Sequence, residues 1–131
     1  MNILLAGGII DFYVEPKKFN RYKTQRGKFN FVERELMKIL NSLTGVEVNG
    51  ITIRDANITS NHFWGMDGLC TVNDLGYNFA YQPKQREDKI TIRIMHIDIV
   101  GIFENEIPLQ DFFFKIKEDN FYLSISSSKL V

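Results

Sequence analysis

The stretch Lys89–Phe103, KITIRIMHIDIVGIF, restricts the fold more than any other part of the chain. Ile90, Ile92 and Ile94 alternate with Thr91 and Arg93, so a strand carries the isoleucines on one face and the polar residues on the other. β-Branched side chains suit such a pleated, half-buried surface. The phase then slips. Met95, Ile97 and Ile99 take the apolar positions, and His96 and Asp98 the polar ones. A strand cannot change its buried face without a bulge, a bend or partners on both sides. Burial on both faces would leave Arg93, His96 and Asp98 in apolar surroundings. The pattern therefore predicts one long strand with a bulge or sharp bend near Ile94 and Met95. A strand that bends this way crosses between sheet layers or wraps around something.

The flanking sequence supplies partners for it. Residues 2–6 read as a buried strand, Gly7-Gly8 permits a bulge or turn, and Ile10, Phe12 and Val14 continue as a second strand segment that ends at Pro16. A helix is predicted over about residues 31–43, with Asn30 as N-cap and Glu33 in a capping-box position. Val32, Leu36, Ile39, Leu40 and Leu43 form its apolar stripe, and Gly45 stops it. Val46 and Val48, then Asn49-Gly50, then Ile51 and Ile53 predict a two-residue hairpin with Val48 opposite Ile51. A short strand is expected over residues 69–72. Leu75, Tyr77, Phe79 and Tyr81 alternate as a further strand, joined to the central one by a polar loop over 82–88. Phe112, Phe114 and Ile116, a turn at Glu118-Asp119-Asn120, and Phe121, Leu123 and Ile125 make a closing hairpin, with residues 127–131 loose. The sum is α+β: a strongly bent antiparallel sheet or open barrel of about 7–8 strands, with one main amphipathic helix (about 31–43) packed on it. The 131 residues read as a single domain, 1–131.

Composition narrows the role. A 44% apolar fraction is enough for one core, and 11 phenylalanines make it aromatic-heavy. Sixteen basic and sixteen acidic residues leave a net charge of zero, which argues against a dedicated duplex-DNA binder. Cys70 stands alone, so an internal disulfide is excluded and a reducing compartment is expected. The apolar run 3–10 lacks a preceding basic residue, and no window approaches ~20 apolar residues. The expectation is a soluble, cytoplasmic protein that makes no use of a membrane.

Reactive groups are sparse. Cys70, His62 and His96 are the only thiol and imidazoles, and Asp67 or Asp98 would have to orient a base. No signature surrounds Cys70, and a lone cysteine is usually a small buried hydrophobe. His62, Asp67, His96 and Asp98 match no compact metal motif, and Gly7-Gly8 develops into no phosphate loop. Neither an enzyme nor a metal or cofactor is expected.

Two charged stretches remain. Residues 17–28 contain Lys17, Lys18, Arg21, Lys23, Arg26 and Lys28 with no acid, interleaved with Phe19 and Tyr22. Read as a long loop, the segment offers cations to phosphates, and Tyr22, Phe19 or the Tyr77/Phe79/Tyr81 stripe to bases. Residues 98–119 contain Asp98, Glu104, Glu106, Asp111, Glu118 and Asp119 against two lysines. An acidic patch with His62, Phe63 and Trp64 as aromatic anchors suits a protein that caps a basic partner. The expectation is a non-catalytic protein-binding module. It would be a small inhibitor or immunity-type protein, of the toxin–antitoxin kind, that occludes a toxin- or nuclease-like partner's active site through His62, Phe63, Trp64, Asp98, Glu104, Glu106 and Asp111. The alternatives are a β-protein that binds single-stranded nucleic acid or RNA through Lys17, Lys18, Arg21, Tyr22, Lys23, Arg26 and Lys28, and a small enzyme with a Cys/His site.

Overall fold

A computed structural model describes residues 2–58, 70–71, 80–86, 88–103 and 114–130. In chain order the elements are β1 (Asn2–Val14), α1 (Pro16–Asn20), α2 (Gln25–Leu43), β2 (Glu47–Val48), β3 (Ile51–Ile58), β4 (Cys70–Thr71), β5 (Ala80–Arg86), β6 (Lys89–Phe103), β7 (Phe114–Lys117), β8 (Phe121–Ile125) and β9 (Ser127–Leu130). The strands form a strongly curled antiparallel half-barrel with α2 packed on it. No helix among the described residues is long and apolar enough to cross a membrane.

The predicted central strand is β6, and its phase slip is real. Ile90, Ile92 and Ile94 are buried, then Ile97 and Ile99. The extra residue is His96, at φ +63°, one position beyond the predicted place. β1 pairs with β6 along nearly its whole length, from Asn2 opposite Ile102 to Val14 opposite Ile90. It carries its own bulge at Gly7, φ +72°. Leu5 faces Ile99, Gly8 faces Ile97 and Ile9 faces Met95, so the two bulges cancel and the register is restored beyond them. Both strands change their buried parity at this line, from Ile3 and Leu5 to Ile10, Phe12 and Val14 on β1. One concave face therefore stays apolar around a bend.

The outer partners divide at the same line. β3 pairs with β6 over Ile97–Phe103, and β5 over Lys89–Arg93. β9 pairs with β1 over Ile3–Ala6, and β8 over Ile9–Phe12. The predicted hairpin is present, with Val48 opposite Ile51 and positive φ at Asn49 and Gly50. β7 and β8 close as predicted, with Ile116 opposite Leu123.

Four sequence expectations need correction. Residues 17–28 are helical at both ends, as α1 and the first turn of α2, and are not a long loop. The main helix begins at Gln25 and not near Phe31, because Thr24 caps it: its side chain accepts from Gly27 N at 3.0 Å. That first turn carries no apolar stripe, so periodicity could not reveal it. Residues 82–86 are strand β5, not loop; its outward positions are all polar, which hides the alternation. Residues 127–130 are strand β9, held by the β1 backbone without an apolar pattern of their own. The expected strand over 69–72 appears as β4, and the Tyr77/Phe79 part of the aromatic stripe lies outside the described residues.

The concave face and α2 share one core. Phe29, Phe31, Val32, Leu36, Leu40 and Leu43 of α2 are buried with Ile10, Phe12, Ile53, Ile92, Ile97 and Leu123 of the sheet. Tyr81, fully buried, packs on Phe29 with ring centroids 5.9 Å apart. The bend line has no room for side chains at its glycines. A Cβ on Gly8 would collide with Ile125 Cδ1 and press on Ser124 O at 3.1 Å. A Cβ on Gly7 would strike Ser126 Oγ, which donates to Gly7 O at 3.0 Å. Gly7→Ala and Gly8→Ala are each expected to lose about 1–3 kcal/mol of stability in urea unfolding, the first through strain at positive φ and the second through overpacking.

Candidate functional site

The helical corner formed by α1, residues 21–24 and the start of α2 holds all six predicted cations. Half of them make contacts within the corner. Lys28 Nζ donates to Phe19 O at 3.2 Å and lies 4.4 Å from the centre of the Phe19 ring. Lys23 Nζ donates to Asn20 O at 3.1 Å, which satisfies an end carbonyl of α1. Lys18 approaches Glu15 at 3.9 Å, both well exposed. Lys17, Arg21 and Arg26 are exposed and form no ion pair among the described residues.

The rings of the corner are also committed. Phe19 is buried. Tyr22 stacks on Phe31 at 5.4 Å and 28°, while Arg34 donates to its hydroxyl at 3.0 Å and places its guanidinium 5.8 Å from the ring. Tyr22 and Phe19 fasten α1 to α2 through Phe31.

Of the predicted acidic and aromatic surface, His62, Phe63, Trp64, Glu104, Glu106 and Asp111 lie outside the described residues. Asp98 is on β6, half-buried and opposite Asn57 of β3. His96 is exposed at the β6 bulge, and Cys70 lies in β4. Among the described residues, no three His, Cys, Asp or Glu side chains gather as a metal site would need.

The structure assembles a second surface that the sequence reading missed, on the outer face of β5, β6, β1, β8 and β7. Residues directly opposite in a ladder share a face. Gln82 faces Arg93, Arg93 faces Asp11, Asp11 faces Tyr122, and Tyr122 faces Lys117. The neighbouring rows run Lys84–Thr91–Tyr13 and Arg86–Lys89 on one side, and Met95–Ile9–Ser124–Lys115 on the other. Arg93 and Asp11 form a two-bond ion pair, Nε to Oδ1 at 2.8 Å and Nη2 to Oδ2 at 2.9 Å. The hydrogen bond to Asp11 raises the Arg93 guanidinium pKa above its ordinary value, and Coulombic attraction adds to this against a small opposing effect of burial.

The remaining cations of this face, Lys84, Arg86, Lys89, Lys115 and Lys117, are exposed. Tyr13 is 47% exposed, with Lys89 Nζ 5.4 Å from its ring centre. Tyr13, Tyr122 and Lys117 line one depression of about 440 Å³, bounded by Glu118 and Asp119 of the β7–β8 turn. Gln82, Lys84, Thr91 and Arg93 line another of about 250 Å³. The usable sequence signal was the polar half of each strand: lysine, arginine and tyrosine fill the slots between the apolar residues of β1, β5, β6, β7 and β8.

The Arg93–Asp11 pair is half open to water on the arginine side, so its contribution is screened. A double-mutant cycle with Asp11→Ala and Arg93→Ala is expected to give a coupling of about 0.5–1 kcal/mol, shrinking in 1 M salt.

No family model, curated protein or solved structure matches this chain.

Proposed function

We propose that this protein is a non-catalytic protein-binding module that docks an acidic face of its partner against the α1–α2 corner. The observation that supports this reading is the state of the corner's cations. Lys17, Arg21 and Arg26 are exposed on a folded support and form no ion pair with a carboxylate among the described residues. The support is stiff: Lys28 is fastened to α1, and Tyr22 is held between Phe31 and Arg34. Fixed, uncompensated charge of one sign raises the encounter rate with an opposite surface and orients it.

The corner suits a folded partner more than a nucleic-acid strand. Its rings are engaged internally, so stacking on bases contributes little here. In the finer form of this proposal the module is an inhibitor or immunity-type protein that blocks a partner's active site. The aromatic and acidic residues His62, Phe63, Trp64, Asp98, Glu104, Glu106 and Asp111 would then supply a further contact, to basic parts of the same partner.

The test is capture of a partner from lysate of the source cells by the immobilised full chain, with the partner identified and its complex titrated. Reversing Lys17, Arg21 and Arg26 to Glu should weaken that complex at least about tenfold at physiological salt, with thermal stability unchanged. Capture that disappears on nuclease treatment, or a complex indifferent to the triple reversal, would overturn the reading.

A further inference from the structure

We infer that the outer face of β5, β6, β1, β8 and β7 is a docking surface for an unpaired nucleic-acid strand. This site is separate from the α1–α2 corner and stands whether or not the corner holds a protein. A single strand exposes π faces and a phosphate chain. A surface that binds it needs aromatic rings standing free of the core, cations around them, and few carboxylates between.

Tyr13 and Tyr122 meet the first need. Tyr122 is opposite Asp11, and Tyr13 lies two residues further along β1, where its N–H donates to Asn120 O at 3.0 Å. The two rings are thus diagonal neighbours on one face, and they share one depression with Lys117. Neither ring is spent on the core, unlike Tyr22 of the corner.

The cations flank this pair on both sides. Lys84, Arg86 and Lys89 lie toward β5, and Lys115 and Lys117 toward β7. The five strands are four interstrand steps of about 4.8 Å apart, so the face measures roughly 19 Å along its curl, enough to hold several nucleotides. Within the ladder rows the one carboxylate is Asp11, and Arg93 neutralises it through two hydrogen bonds. Outside those rows, Glu118 and Asp119 of the β7–β8 turn line the tyrosine depression together with Lys117.

Edge protection is the plain alternative. Lysines on outer strands discourage sheet-to-sheet pairing. That accounts for Lys84, Lys115 and Lys117 on β5 and β7. It leaves unexplained the exposed ring of Tyr13, which stands near the end of an interior strand. It also leaves unexplained six cations against one acid in these rows, when the whole chain is balanced at sixteen of each.

The experiment is fluorescence anisotropy of the full chain with labelled mixed-sequence 12-mers: single-stranded RNA, single-stranded DNA and the corresponding duplex. Either single strand should bind at least about tenfold tighter than the duplex, since only unpaired bases can stack on the tyrosines. With about four phosphate contacts, raising salt from about 50 to 200 mM should weaken single-strand binding roughly fifty-fold. Tyr13→Leu with Tyr122→Leu, which keeps bulk on the strands, should weaken it by about tenfold or more. Lys84→Glu with Lys117→Glu should flatten the salt dependence. Reversal of Lys17, Arg21 and Arg26 should leave it intact, which separates this site from the corner. No binding at low salt, a duplex bound as tightly, or a loss that follows the corner variant while the tyrosine variant binds normally would each overturn the inference.

Discussion

β1 and β6 pair along almost their whole lengths, and each bulges once, at Gly7 and at His96. A single bulge would have put one strand out of step with the other for the rest of the ladder. Two bulges on facing strands cancel, so the ladder resumes in its original register and the sheet gains a bend. The same line is where β3 gives way to β5 on one side and β9 to β8 on the other. Curl, strand order and the division of partners therefore follow from one local device. It depends on backbone that only glycine adopts freely at Gly7, and on the close approach of Ile125 at Gly8.

The helix answers the curl. A half-barrel leaves an apolar concavity that cannot face water, and α2 fills it with Phe29, Val32, Leu36 and Leu40. Starting α2 at Gln25 brings Phe29 far enough forward to meet Tyr81 of β5. The added N-terminal turn carries the cationic corner with it. The same capping event that completes the core thus gathers positive charge at the surface. The corner's internal contacts are a consequence: Phe19 and Tyr22 are the adhesive between α1 and α2, and Lys28 and Arg34 complete their packing.

The two surfaces differ in what their aromatic residues are free to do. At the corner the rings are internal, and only charge faces outward. On the outer sheet face the rings are presented and the charges surround them. Ligand chemistry follows from that difference more than from net charge, which is zero for the chain and says nothing about local fields. The Arg93–Asp11 pair illustrates the point. Its weak contribution to stability matters less than its placement, since it removes the carboxylate that would otherwise repel an anion from the middle of the face.

Local residue pattern was enough to set the kind of element and the side each residue takes. The isoleucine alternation of β6, its slip, the Asn49-Gly50 turn and the stripe of α2 were all legible, because side-chain period and turn chemistry are local properties of the backbone. Segments without an apolar period were not: the first turn of α2, β5 and β9 are held by a cap or by a neighbour's backbone, and neither leaves a hydrophobic signature. The outer face belongs wholly to tertiary structure. Asp11, Arg93, Tyr122 and Lys117 are scattered over more than a hundred residues and meet only through register. Register is a property of paired strands, fixed by the burial of their opposite faces, so no single strand's sequence contains it.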